Sequence, residues 1–282
     1  MKPEIEQVQI TRQVRTELRL WRAVEPTAPA LLVLPAMGIP AGAYRRFCEA
    51  ACARGNHVLC LDLRGVGGSS VRASRRCDWG YEDLVNGELA MLLNRARLAL
   101  PQAPLYWFCH SLGGHLAVIH TIEQFEAGSE PVAGLILAAS GSPQAELLAP
   151  KVRNQARFLV IMVKLMLATM GVFRGDWVGF GGRQAATLMR EWALFVGKGI
   201  IPLGDRRLAA GSPLPMRLLA LAMDGDSYSP KAAVASLMSR LDPSVEVETI
   251  INPGGPPPGH TDWLKQPNPV VERLSEFLAT AR

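Results

Sequence analysis

Five short runs of nearly uninterrupted apolar residues constrain this chain most: Ala30–Leu34, His57–Leu63, Leu105–Cys109, Val132–Ala139 and Arg217–Met223. Each is too short for a typical helix and too continuously apolar for a strand with one wet face. Each therefore reads as a strand buried on both sides of a sheet. Helical stretches stand between them, at about Tyr44–Ala53, Tyr81–Leu100 and Leu112–Gln124, and two more follow at Lys231–Leu241 and Pro269–Ala281. Strands alternating with helices predict an α/β fold with a mostly parallel central sheet and helices on both faces. Gln7–Thr11 and Glu17–Val24 alternate in polarity and predict an antiparallel pair ahead of it, and Val245–Ile251 a last strand.

The rhythm breaks once. From Ser142 to Leu214 the pattern is helical with no clear strand. The chain thus divides into a core of residues 1–141 and 215–282 and an inserted segment of residues 142–214. Within it, FLVIMVKLMLATM (Phe158–Met170) is interrupted by Lys164 and is shorter than the roughly 20 residues that span a bilayer. It is expected to be a buried or interfacial helix.

Charge and cysteine usage exclude several classes. A net charge of +5 over 282 residues, with basic residues scattered in pairs such as Arg45-Arg46, gives no footprint for nucleic acid. A weak attraction to anionic surfaces is the most it suggests. The five cysteines have neither disulfide-framework nor zinc-ligand spacing. Cys48 and Cys52, four apart on a helix, read as small buried residues. The polar start of the chain lacks the apolar stretch of a signal peptide, so a cytoplasmic location is the default expectation.

The chemistry lies in Tyr106-Trp107-Phe108-Cys109-His110-Ser111-Leu112-Gly113-Gly114. A strand runs into Ser111 and a helix begins at once beyond it. A serine on so sharp a turn projects its hydroxyl from the sheet edge, and the turn needs small residues two places to either side. Gly113 satisfies this; Cys109 stands where glycine is usual. The helix N-terminus and the Leu112 backbone N–H can face a developing oxyanion. A plain helix cap is the competing role for Ser111.

These residues, with LPAMGIP and LDLRGVGGSS upstream, resemble the α/β-hydrolase superfamily. They look most like a bacterial group of serine hydrolases related to its serine aminopeptidase and lysophospholipase branches. Asp62-Leu63-Arg64-Gly65-Val66-Gly67-Gly68-Ser69 is similar to the D-x-R-G-x-G-x-S turn of that group, a structural element in which Asp62 and Arg64 can tie the loop together. The resemblance implies a nucleophile, acid, base order along the chain. Ser111 is then the nucleophile. His260, in PGGPPPGHTDW after the last strand, is the base. His57, His110, His115 and His120 are poorly placed to approach the hydroxyl. The acid follows Arg217–Met223, and Asp226, four residues before Pro230, is preferred over the runner-up Asp224. Asp242 and Asp262 read as capping or surface residues.

The resemblance also puts the second oxyanion donor at the Met37 backbone N–H, where Pro35-Ala36 replace the usual His-Gly. It makes the inserted segment a lid, whose Phe158, Met162, Met166, Trp177, Phe180, Trp192 and Phe195 suit an apolar small-molecule ester. No metal or cofactor is called for. The expected activity is carboxylic-ester hydrolysis through an acyl-enzyme, with monoacylglycerols, lysolipids or thioesters as further substrates. An acyltransferase with the same three residues, or a non-catalytic binding module on the same scaffold, is the alternative. Weak membrane-surface contact through the lid is a further expectation.

Overall fold

The computed structural model describes residues 2–209, 211–212 and 214–279. An antiparallel pair, β1 (Glu4–Gln9) and β2 (Arg15–Trp21), is followed by β3 (Ala30–Leu34), α1 (Arg45–Ala53) and β4 (His57–Leu61). Next come α2 (Tyr81–Leu84), α3 (Ala90–Ala99), β5 (Leu105–His110), α4 (Leu112–Glu126) and β6 (Gly134–Ala138). The following segment holds α5 (Pro150–Met170), β7 (Phe173–Arg174), α6 (Gly175–Val178), β8 (Arg183–Gln184) and α7 (Ala186–Lys198). The chain then returns to the core with β9 (Arg217–Met223), α8 (Lys231–Met238), β10 (Val247–Ile250) and α9 (Asn268–Ala279).

Among the described residues, eight strands form one sheet in the order β1-β2-β4-β3-β5-β6-β9-β10. β2 runs antiparallel to both β1 and β4, and the pairings from β4–β3 to β9–β10 are all parallel. β3, β4, β5 and β6 are buried along their whole length, as their apolar runs require. Their side chains alternate between two cores. Leu32, Leu34, Trp107 and Cys109 join the face covered by α3 and α4. Leu31, Val33, Tyr106 and Phe108 join the face covered by α1 and α9. The chain steps from β3 out to β4 and back past β3 to β5, so the loops after β3 and β5 open next to each other. That is where open α/β sheets bind their ligands.

Two expectations need correction. The helix foreseen over Tyr81–Leu100 is split by a π-helical turn at Val85–Leu89. This turn presents the buried Glu88 to Arg64, with Nε–Oε1 and Nη2–Oε2 both at 3.0 Å. A Cβ on Gly87 would lie 2.9 Å from the same guanidinium, so the turn and the glycine together make room for it. Arg64 therefore braces this helix and does not close its own loop. The segment after β6 also contains strand: β7 and β8 pair antiparallel, Phe173 with Gln184 and Arg174 with Arg183. Only two pairs form, too few to leave an alternating signature in sequence.

α5 opens with Pro150 in its first turn and ends at Gly171 in the left-handed region, φ 66°. It buries Val163, Met166 and Leu167. Phe158, Ile161 and Leu165 stay more than half exposed. Among the described residues no helix is long and apolar enough to cross a membrane.

Candidate active site

Ser111 sits between β5 and α4 at φ 52°, ψ −117°, a backbone geometry uncommon for a residue with a side chain. Its hydroxyl makes no cap to the helix. The turn is held from outside. Ser140 Oγ donates to the Ser111 carbonyl at 2.6 Å. A Cβ at Gly113 would come within 2.3 Å of the Leu34 carbonyl oxygen of β3, so only glycine lets α4 lie this close to the sheet. Cys109 is fully buried, and burial pushes its thiol well above the usual range. It packs as a small apolar residue.

Three side chains from distant parts of the sequence meet here. His260 Nε2 lies 3.1 Å from Ser111 Oγ, and His260 Nδ1 lies 2.9 Å from Asp226 Oδ2. The Asp226 side chain is fully buried, and its other oxygen accepts the backbone N–H groups of Tyr228 at 2.8 Å and Ser229 at 2.9 Å. A carboxylate so held is an acceptor. His260 therefore carries its proton on Nδ1 and leaves Nε2 open to the serine O–H. In this arrangement the imidazole can take the hydroxyl proton as the oxygen attacks an electrophilic carbon, and return it to a leaving group.

The runner-up aspartate does other work. Asp224 is exposed, and its main chain fastens the neighbouring loops: its N–H donates to the Ile250 carbonyl and its carbonyl accepts from Gly259 N–H, both at 2.9 Å. Asp242 accepts from the Ser244 backbone and hydroxyl, and Asp262 meets Lys265 at the surface.

The loop after β3 turns at Gly38, φ 73°. Its Ala36 N–H donates to Tyr44 Oη at 2.8 Å, and the next residue is Met37. Asp62 ties this region to the glycine turn after β4, accepting Ala41 N–H at 2.6 Å and Gly68 N–H at 2.8 Å. The loop between β7 and β8 comes down on it. A Cβ on Gly38 would lie 2.2 Å from the Gly181 carbonyl oxygen, and one on Gly181 would lie 2.8 Å from Met37 Sδ. Helical periodicity in the inserted segment gave no sign of this contact. The aromatic residues there divide: Phe195 and Trp192 are buried, Phe180 packs against Trp192 at 5.0 Å, and Trp177 is exposed under Arg174.

Of the other histidines, His115 donates from Nε2–H to the Gly141 carbonyl (2.9 Å) and stacks on Tyr81, and burial lowers it to about 4. His120 lies edge-on to Trp107 and is likewise lowered to about 4 by burial. His57 accepts from Ala23 N–H. His110, one residue before Ser111, points to the α1 and α9 face, 5.2 Å from the His260 ring between centroids. Among the described residues no group of three or more histidine, cysteine, aspartate or glutamate side chains is arranged to hold a metal.

Structures of known proteins share this architecture. A soluble variant of monoglyceride lipase from Saccharomyces cerevisiae, in complex with a substrate analog, is similar with a TM-score of 0.69 at 12% identity, over 99% of this chain and 95% of that one. A highly thermostable carboxyl esterase from Bacillus coagulans, in complex with glycerol, gives 0.65 at 15% identity over 99% of both chains. A hydrolase from Pseudomonas aeruginosa PA01 gives 0.61 at 17% identity over 98% of both. No curated protein matches the sequence. Residues 25–174, more than half of the chain, match the family described as Serine aminopeptidase, S33. The stretch holds the loop after β3, the glycine turn and the serine turn, so the chain belongs to the S33 serine aminopeptidase family and is an enzyme of the α/β-hydrolase kind.

Proposed function

We propose that this protein is a serine hydrolase that cleaves a carboxylic ester of an apolar small molecule through an acyl-enzyme intermediate. The observation that carries this reading is the continuous contact from Ser111 Oγ to His260 Nε2 (3.1 Å) and from His260 Nδ1 to Asp226 (2.9 Å). Ser111 attacks the ester carbonyl and His260 takes its proton. The oxyanion is held by the backbone N–H groups of Leu112 and Met37, and Asp226 stabilises the imidazolium. His260 then gives the proton to the departing alkoxide. Water, activated by the same imidazole, releases the acid.

Residues 142–214 act as the lid. Phe180, packed against Trp192, and Met37 are only partly buried, and this supports an apolar wall beside the loop after β3. The outward stripe of Phe158, Ile161 and Leu165 on α5 is flanked by Lys151, Arg157 and Lys164, and the helix carries no acidic residue. That combination supports weak contact with an anionic membrane surface.

The test is labelling by a fluorophosphonate together with turnover of p-nitrophenyl esters of graded chain length. Wild type is expected to label and turn over, and Ser111→Ala to lose labelling and at least roughly 10³-fold in kcat. A folded wild type that does neither, or a mutant that retains both, overturns the reading.

A further inference from the structure

Behind the three side chains that meet at the serine runs a second set of buried contacts. Ala36 N–H donates to Tyr44 Oη at 2.8 Å. Tyr44 Oη lies 2.7 Å from His110 Nδ1, and His110 Nε2 lies 2.9 Å from the His260 carbonyl oxygen. Trp263 Nε1–H reaches the same carbonyl at 3.2 Å. Tyr44 and His110 are both 0% exposed.

The direction of every bond in this chain follows from its ends. A carbonyl oxygen only accepts, so His110 Nε2 carries a hydrogen. Burial holds His110 well below its ordinary range and Tyr44 well above its own, so both are neutral. A neutral imidazole protonated at Nε2 accepts at Nδ1, so the Tyr44 hydroxyl donates there. The lone pair that remains on Oη then faces the Ala36 N–H. The opposite tautomer would set two lone pairs against each other at the His260 carbonyl. The polarity is therefore single, from Ala36 through Tyr44 and His110 to His260.

The ends of this chain matter for the reaction. Ala36 precedes Met37 in the loop after β3, and the other end is the backbone carbonyl of His260, the residue that carries the imidazole, in the loop after β10. The middle member, His110, precedes Ser111. The loop after β3, the end of β5 and the loop after β10 are thus joined through hydrogen bonds largely shielded from water, whose loss strands polar groups.

We propose that Tyr44 and His110 are positioning residues: through this one-way hydrogen-bond chain they fix the His260 imidazole relative to Ser111 and hold the Met37 N–H in register with both. The proposal rests on the reading of Ser111, His260 and Asp226 given above. It makes the residue just before the nucleophile a brace for the base, although its side chain never touches substrate.

The experiment compares wild type, Tyr44→Phe, His110→Leu and His110→Gln. The measurements are the second-order rate of fluorophosphonate labelling at Ser111, kcat and KM on p-nitrophenyl butyrate, and Tm. Tyr44→Phe removes a single oxygen and keeps the packing. It is expected to slow labelling and lower kcat roughly 10–100-fold, with KM within about threefold of wild type. His110→Leu should lose at least as much. His110→Gln, which retains an N–H donor for the His260 carbonyl, should recover most of the labelling rate. Wild-type labelling rates in Tyr44→Phe, or equal losses in the leucine and glutamine variants, would overturn the proposal. A purely structural role would lower Tm and leave the labelling rate of the folded fraction unchanged, which also overturns it. If His110→Leu does not fold, Tyr44→Phe decides alone. Absence of labelling at Ser111 in wild type overturns the underlying reading and this proposal with it, whereas normal wild-type labelling with unaffected variants overturns only the proposal.

Discussion

The central sheet and the segment between β6 and β9 draw on similar apolar sequence and use it differently. β3, β4, β5 and β6 bury every residue. α5, at 21 residues the longest helix among those described, buries only Val163, Met166 and Leu167 and leaves Phe158, Ile161 and Leu165 more than half exposed. In the sheet, apolar side chains meet partners on both faces, and removing them from water stabilises the fold. On α5 the inner stripe does that and the outer stripe does not. Hydrophobicity alone therefore does not say whether a residue holds the fold together or remains available to something else.

A pair of truncations tests that contrast most directly. Leu137, fully buried in β6, cut to alanine should cost about 2–5 kcal/mol. Leu165, 56% exposed on α5, cut to alanine should change stability by less than about 0.5 kcal/mol. Denaturant unfolding measures both, and a comparable loss at Leu165 would show that the outer face of α5 is covered in solution.

The two regions touch where the Gly181 carbonyl meets Gly38, and a substitution there tests whether they act together. Gly38→Ala places a methyl on backbone at φ 73°, 2.2 Å from the Gly181 oxygen. The expected cost is about 1–3 kcal/mol. Turnover of a water-soluble ester should fall with it, since Met37 must shift. Unchanged kinetics in a destabilised variant would separate the segment from the chemistry.

The smallest effect concerns acid. His115 and His120 stay neutral in the fold down to about 4, against an ordinary value of 6.5. The unfolded chain takes up those protons first, so stability is full above pH 6.5 and falls as the pH drops towards 4. Glu88 opposes this. Burial raises it from 4.5 to about 6, so its contribution is full below pH 4.5 and is lost as the pH rises through 6. Burial also lowers His57 and His110 and raises Glu123 and Glu191, so four histidines stand against three glutamates and a net loss on acidification is predicted. His120→Phe should recover a few degrees of Tm at pH 4.5 relative to wild type while matching it at pH 7.5. An unchanged acid slope would place the loss elsewhere.

Much of the site could be read before folding. Ser111 was legible because a strand, a serine and two glycines in immediate succession leave the backbone few geometries. Asp226 and His260 were legible only through their order after the strands that deliver them. The preference for Asp226 over Asp224 came from the resemblance, through its spacing to Pro230; in the structure the Asp226 carboxylate turns inward under two backbone N–H groups while Asp224 is exposed. The short strands β7 and β8 and the π-helical turn were not legible, because each answers to partners far away in sequence.

What the sequence determined by itself is the alternation of buried strands and helices and the local turn that raises Ser111, since both follow from nearest-neighbour sterics and from which residues avoid water. What only the tertiary structure decided is the company those residues keep. That includes Arg64 turning to Glu88, Gly181 closing on Gly38, and His110 reaching from Tyr44 to the His260 carbonyl. Such contacts join positions tens to hundreds of residues apart, and a hydrogen bond or a close approach forms only when the whole sheet has brought its loops to one edge.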